Sequence, residues 1–124
     1  MIIGSVSENR DLEKRISITP EIAKKYIGLG LKVQLSKNYG KHLGFEDKEY
    51  SDFGVTFVDN EKSLIENSDI IIQMSLLDKN KTFFLKSNQT FIGVLNPFEN
   101  KNKLEELIKR KVNLFSLELL PRIT

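Results

Sequence analysis

The sequence has no cysteine and a single histidine, and these two shortages remove whole classes of chemistry. Without thiols there is no disulfide framework, no thiolate metal site and no cysteine nucleophile, and nothing points to an oxidising compartment. His42, in Gly40-Lys41-His42-Leu43-Gly44, has no partner at metal-ligand spacing. A solvated loop residue is therefore favoured over a general base. Long apolar runs are missing as well; the longest span a few residues, against the roughly 20 that cross a bilayer, and no signal-peptide pattern opens the chain. Charge of one sign is scarce: 19 Lys+Arg against 17 Asp+Glu leave +2, too little and too dispersed for a nucleic-acid footprint. What remains is 124 residues, 40% hydrophobic and 29% charged. That is the composition of one soluble, intracellular-type domain, able to bury roughly two-thirds of its unfolded surface without staples.

Apolar runs alternate with helical periodicity. Ile2, Ile3 and Val6 read as a strand almost at the terminus. Thr19-Pro20-Glu21 supplies an N-cap, a proline at the first helical position and a first-turn acid. Ile22, Tyr26 and Leu29 then fall on one face, Gly30 ends the helix, and Leu31–Leu35 follows as a strand. The unit is βαβ, the crossover that joins parallel strands. The pattern continues with a helix over Asp47–Phe53, a strand at Val55–Val58, a helix at Glu61–Asn67 and a strand at Asp69–Met74. The consecutive isoleucines of that last strand predict cover on both faces. A helix over Lys79–Leu85, a strand at Phe91–Leu95, a helix at Lys101–Lys111 and a strand at Val112–Leu117 complete the series. For the last helix the spacing predicts an Asn100 cap, a buried stripe of Leu104, Leu107 and Ile108, and ion pairs Glu105–Lys109 and Glu106–Arg110. The fold class is α/β: a mostly parallel sheet of about six strands with helices on both faces, Rossmann-like or flavodoxin-like. In such a sheet ligands sit at the carboxyl ends of the strands, which directs attention to Ser7–Arg15, Ser75–Asp78, Asn96–Asn100 and Glu118–Thr124.

Familiar motifs are mostly wanting there. The one Gly-x-Gly, Gly28-Leu29-Gly30, closes a helix instead of opening one, so it cannot cradle a pyrophosphate. No P-loop is present, and Ser5 and Ser7 lack a nearby base that would make either a nucleophile. A phosphorylation-receiver site would need clustered acids at strand ends, whereas Glu8 stands alone after the first strand and Asn96 ends the fifth. Arg15 lies in a charged loop and Arg122 follows Pro121 just past the last strand. Read by themselves, the first is a solvated loop residue and the second part of a trailing terminus, though either guanidinium could meet a carboxylate, phosphate or carboxamide.

Arg15-Ile16-Ser17-Ile18-Thr19-Pro20-Glu21, preceded by Glu8 and Glu13, resembles the opening of the alanine dehydrogenase and nicotinamide nucleotide transhydrogenase family. The likeness continues through Gly44–Tyr50, Phe53-Gly54-Val55, Ser68–Met74 and Gln89–Gly93 and covers essentially the whole chain. The alanine dehydrogenase branch implies an arginine, a lysine and a histidine that hold an oxo acid. The arginine matches Arg15, the substrate-binding candidate, but the lysine falls at Ser75 and the histidine at Asn96. Leu95-Asn96-Pro97-Phe98-Glu99-Asn100 and Leu120-Pro121-Arg122-Ile123-Thr124 instead look like transhydrogenase alpha-subunit elements. There the arginine matching Arg122 lies near the nicotinamide, which makes Arg122 the cofactor-binding candidate. Departures are Gln73, where the family usually has lysine, and Lys37–Lys41, a weak match to its glycine-rich turn.

The resemblance implies that residues 1–124 are an amino-terminal piece of a longer chain. It implies a following NAD(H)-binding domain, with NADP(H)-binding and membrane domains or subunits as further partners, a homodimeric habit, and a cytoplasmic position peripheral to the inner membrane. Hydride passes between NADH and NADP⁺ with proton translocation, and no residue of this piece is catalytic and no metal is needed. The 124 residues alone are expected to be inactive and to bind NAD(H) weakly or not at all. An alanine dehydrogenase-like oxidoreductase and a non-enzymatic α/β ligand-binding module are the alternatives.

Overall fold

The computed structural model describes residues 1–119, so Arg122 and the Pro121-containing segment lie outside the described residues. Among the described residues six strands form one parallel sheet: β1 (Ile2–Ser5), β2 (Lys32–Ser36), β3 (Thr56–Val58), β4 (Ile70–Ser75), β5 (Thr90–Val94) and β6 (Asn113–Ser116), in the order β3-β2-β1-β4-β5-β6. The chain runs outward from β1 to β3 and then crosses to β4 on the other side. The β1/β4 boundary is therefore the topological switch point, where an open α/β sheet leaves a crevice.

Helices α1 (Pro20–Gly28) and α2 (Asp47–Ser51) pack with β1–β3 around Ile3, Ile18, Ala23, Val33, Leu35, Tyr39, Tyr50 and Val55. The opposite core gathers Leu64 and Ile65 of α3 (Glu61–Asn67), Leu107 of α5 (Lys101–Lys109), and Ile71, Phe91 and Leu95. Helical caps follow the sequence where the side chain is short and local. Thr19 Oγ1 accepts the Ile22 N–H at 3.3 Å and Asn60 Oδ1 that of Ser63 at 3.2 Å, meeting amides that the first turn leaves unpaired. Gly30 does end α1, two residues past its last turn: it adopts φ +89° and donates to the Ile27 carbonyl.

Four local expectations are corrected. Asn100 does not cap α5 through its side chain, because its carboxamide donates to the Leu95 carbonyl at 2.8 Å and ties the helix start to the end of β5. The helix expected over Lys79–Leu85 is one turn, α4 (Lys79–Thr82). Arg110 explains where it stops: its guanidinium donates to the carbonyls of Thr82, Phe83 and Leu85 at 3.0, 3.1 and 2.5 Å and so is turned away from Glu106. Ile108 is exposed, leaving Leu107 as the buried residue of the α5 stripe.

Helices do lie on both faces, but cover is uneven. Ile72, Ile92 and Phe115 stand side by side in register across β4, β5 and β6. Ile72 packs on the α1/α2 core, whereas Phe115 at the far strand is 54% exposed. The run of isoleucines in β4 is thus fully buried only at Ile71.

One strand over from the switch point, β4 and β5 shift register between Ile72 and Ser75. Gly93 permits the approach, since a Cβ there would stand 2.6 Å from the Gln73 carbonyl oxygen. The closest atom belongs to backbone, which cannot rotate out of the way. Gly93→Ala is expected to destabilise the fold by about 1–3 kcal/mol, read as a lower urea midpoint at unchanged slope; an unchanged midpoint would contradict this close approach.

Candidate functional site

The carboxyl ends of β1, β4 and β5 border a cleft of about 580 Å³ lined by residues 7–9, 12, 13, 15, 73–78, 81, 94, 96, 100 and 103. Three of the four segments singled out from the sequence meet here. The fourth contributes Glu118 at the end of β5, and its remaining residues from 120 onward are outside the described part.

The cleft floor is built on Gln73. This buried carboxamide accepts the Val6 N–H at 2.7 Å, lies 3.0 Å from Ser5 Oγ, and donates to the Val6 carbonyl at 3.0 Å and to the Glu8 carboxylate. A lysine offers only donors, so it could not receive the Val6 N–H. Glutamine meets both backbone groups of Val6.

Glu8 then turns back over β4. Its Oε2 accepts from Gln73 Nε2 and from the Met74 N–H at 3.1 Å, and its Oε1 from the Ser75 N–H at 3.2 Å and Ser75 Oγ at 3.0 Å. Four donors fill the four lone-pair sites of one carboxylate. Burial pushes the Glu8 carboxyl above the usual carboxylate range while these donors pull against the shift.

A second carboxylate repeats the arrangement next door. Glu118, in the 3₁₀ turn Leu117–Leu119 after β6, accepts the Leu95 N–H at 2.8 Å, the Asn96 N–H at 3.1 Å and Ser116 Oγ at 2.5 Å. Asn96 adopts a left-handed φ of +47° at this turn. The Ser116 hydroxyl first, and then the Asn96 and Leu95 amides, hold the Glu118 carboxyl below its ordinary value.

Arg15 stands at the rim, its side chain 69% exposed, with Nη2 2.6 Å from Glu13 Oε1 and Nε 3.1 Å from Oε2. The Arg15 guanidinium lowers the Glu13 carboxyl. Glu13 is the less exposed partner, its side chain 17% accessible, and the contact is two-pronged, so it fixes Arg15 at the rim. Ser75 and Asn96 both line the cleft, Ser75 through a hydroxyl already committed to Glu8.

The remaining candidates fall away structurally. His42 Nε2 donates to the Lys14 carbonyl at 2.7 Å and steadies the Arg15 loop from outside the cleft. Ser5 is buried, 2.6 Å from the Ile72 carbonyl and 2.8 Å from the Tyr39 hydroxyl; Ser7 bonds Ser36. Among the described residues no group of acids and histidine is placed to hold a metal ion, and no helix is long and apolar enough to cross a membrane. Sequence reasoning missed the work of Glu8 and Glu118. The available signal was an acid one to three residues beyond a strand, next to a strand ending in unpaired amides.

The family model for the alanine dehydrogenase/PNT N-terminal domain matches residues 4–124. An NAD(P) transhydrogenase subunit alpha polypeptide of Rickettsia prowazekii is 32% identical over 100% of this chain and 33% of its own. Alanine dehydrogenase 1 of Staphylococcus aureus is 28% identical over 95% of this chain and 31% of its own. The crystal structure of transhydrogenase from Sinorhizobium meliloti superposes with a TM-score of 0.91 at 22% identity, over 100% of this chain and 37% of that one, a likeness of fold. The chain thus spans about a third of the length of the curated relatives it matches.

Gln73→Leu keeps most of the side-chain volume but leaves the Val6 N–H, the Val6 carbonyl and one Glu8 oxygen short of a partner. A loss of about 2–4 kcal/mol is expected in urea denaturation; a loss below about 0.5 kcal/mol would show that the bridge is replaceable by water.

Proposed function

The chain belongs to the alanine dehydrogenase/PNT N-terminal domain family, and on that basis we propose that it is the amino-terminal portion of the NAD(H)-binding alpha subunit of a proton-translocating NAD(P) transhydrogenase. The observation that carries the choice between the two branches is the pair Ser75 and Asn96. Both lie at the cleft, at the positions where the alanine dehydrogenase branch has a lysine and a histidine. Neither residue can protonate or polarise an oxo-acid carbonyl as those groups would. The greater likeness to a transhydrogenase alpha subunit supports the same branch.

In this reading hydride passes from NADH to NADP⁺, and the nicotinamides supply the chemistry. The protein's share is orientation and electrostatics. The following domain of the same chain holds NAD(H), and a partner domain or subunit holds NADP(H). Membrane segments elsewhere carry the proton, the assembly is a homodimer, and this portion lies on the cytoplasmic side, peripheral to the inner membrane. Arg122 sits near the nicotinamide and is the residue of this chain with the most direct effect on hydride transfer. Arg15 is the family's substrate-side arginine, retained without its lysine and histidine partners.

The complete gene product, combined with its NADP(H)-binding partner, is expected to reduce an NADP⁺ analogue with NADH and to show no NADH oxidation with pyruvate and ammonia. The reverse pair of results would assign it to the alanine dehydrogenase branch. Within the transhydrogenase, Arg122→Ala is expected to lower the hydride-transfer rate by about tenfold or more with NADH affinity changed less; an unchanged rate removes Arg122 from the site.

A further inference from the structure

Tyr39, in the turn after β2, reaches the loop that carries Arg15 yet does not itself line the cleft. Its ring is buried and stands edge-on to Tyr50, with centroids 6.2 Å apart. Its hydroxyl accepts the Ser17 N–H at 3.1 Å and the Ile18 N–H at 3.3 Å. With two donors already on the oxygen, its own proton goes to Ser5 Oγ at 2.8 Å. Burial raises the phenol above its ordinary range, which keeps that proton in place. Ser5 Oγ in turn lies 2.6 Å from the Ile72 carbonyl and 3.0 Å from Gln73 Oε1. A continuous set of hydrogen bonds therefore starts two residues beyond Arg15 and finishes on the carboxamide that holds Glu8.

Other contacts of the same turn secure the loop. Arg10 Nη2 donates to the Asn38 carbonyl at 2.5 Å and His42 Nε2 to the Lys14 carbonyl at 2.7 Å. Of these contacts, that of Tyr39 is the one that continues into the sheet. A saturated polar set of this kind fixes a position as well as a stability, because each bond constrains both length and direction. We propose that Tyr39 is the positioning residue of Arg15: its hydroxyl sets where the Arg15 loop stands relative to the cleft floor, and through Arg15 it helps to orient the ligand in the cleft. The consequence for hydride transfer rests on the transhydrogenase reading; the hold on the loop does not.

The test uses the complete gene product with its NADP(H)-binding partner, assayed well below the thermal midpoint so that the compared variants are folded. Tyr39→Phe is expected to lower the hydride-transfer kcat by about fivefold or more with KM for NADH within about twofold, since misplacing an orienting group costs rate before affinity. Arg15→Ala should be slow as well, and the variant carrying both changes no slower than Arg15→Ala. A hydroxyl with a merely structural role would act independently of Arg15. Losses that multiply, or an Arg15→Ala variant as fast as the wild type, would therefore overturn the proposal. Hydrogen exchange gives a readout without activity: the Ser17 and Ile18 amides should exchange about tenfold faster in Tyr39→Phe, and unchanged exchange would overturn the proposal too. Should Tyr39→Phe not fold, Ser5→Ala decides, because it leaves Tyr39 in place and cuts the path to Gln73. It should show the same loss of kcat and the same dependence on Arg15, and a wild-type kcat would overturn the proposal. A wild type without hydride transfer fails the transhydrogenase reading instead, and the exchange measurement then decides the positioning alone, so the two readings fail separately.

Discussion

The two-way hydrogen bonding between the Gln73 carboxamide and the Val6 backbone joins β1 to β4 where the strand order reverses. At that point two parallel strands diverge, and their last backbone groups would otherwise face a crevice. Val6 presents both a donor and an acceptor, and Gln73 answers both at 2.7 and 3.0 Å. The same amide holds Glu8, Glu8 holds the ends of Met74 and Ser75, and Gly93 lets β5 pass within reach of the Gln73 carbonyl. Cleft floor and loop meet on one buried carboxamide, and the irregularity between β4 and β5 lies beside the backbone of the same residue.

What the cleft can do follows from how these groups are already used. Strand-end amides at such an edge commonly take a phosphate or a carboxylate. Here the chain supplies both anions itself, Glu8 at β4 and Glu118 at β5. The other polar side chains lining the cleft are of mixed kind, among them Asn9, Asn96, Arg15, Asp78 and Lys103, suited to orienting a ligand held mainly by something else. Under the function proposed above, such a cleft would contribute a wall, and the cofactor the reactive atoms.

Much of the architecture was legible because it depends on short-range rules. Thr19-Pro20, Asn60 and Gly30 act within one turn of themselves, and apolar runs bounded by such signals mark six strands and their order of use. Two of the misreadings share a cause: a polar side chain bonded outside its own helix. Arg110 left its helix to bind the carbonyls of Thr82, Phe83 and Leu85, and Asn100 bonded Leu95 in place of its own first turn. The edge carrying the cleft was predictable from topology alone. The roles of Glu8 and Gln73 were not, because their contacts span 65 residues or more, and no local pattern encodes which carboxylate will meet which amide. Topology placed Arg15 and Ser75 at the right edge, and only the family resemblance suggested roles for them.

The central claim, that this domain shapes a cleft but does not itself hold the nucleotide, is tested most directly by titrating the 124-residue chain with NADH and following cofactor fluorescence. With its strand-end amides occupied by Glu8 and Glu118 and no glycine-rich phosphate loop in its sequence, the chain should leave NADH emission unchanged through the micromolar range. Saturable binding with a Kd in that range would contradict the account.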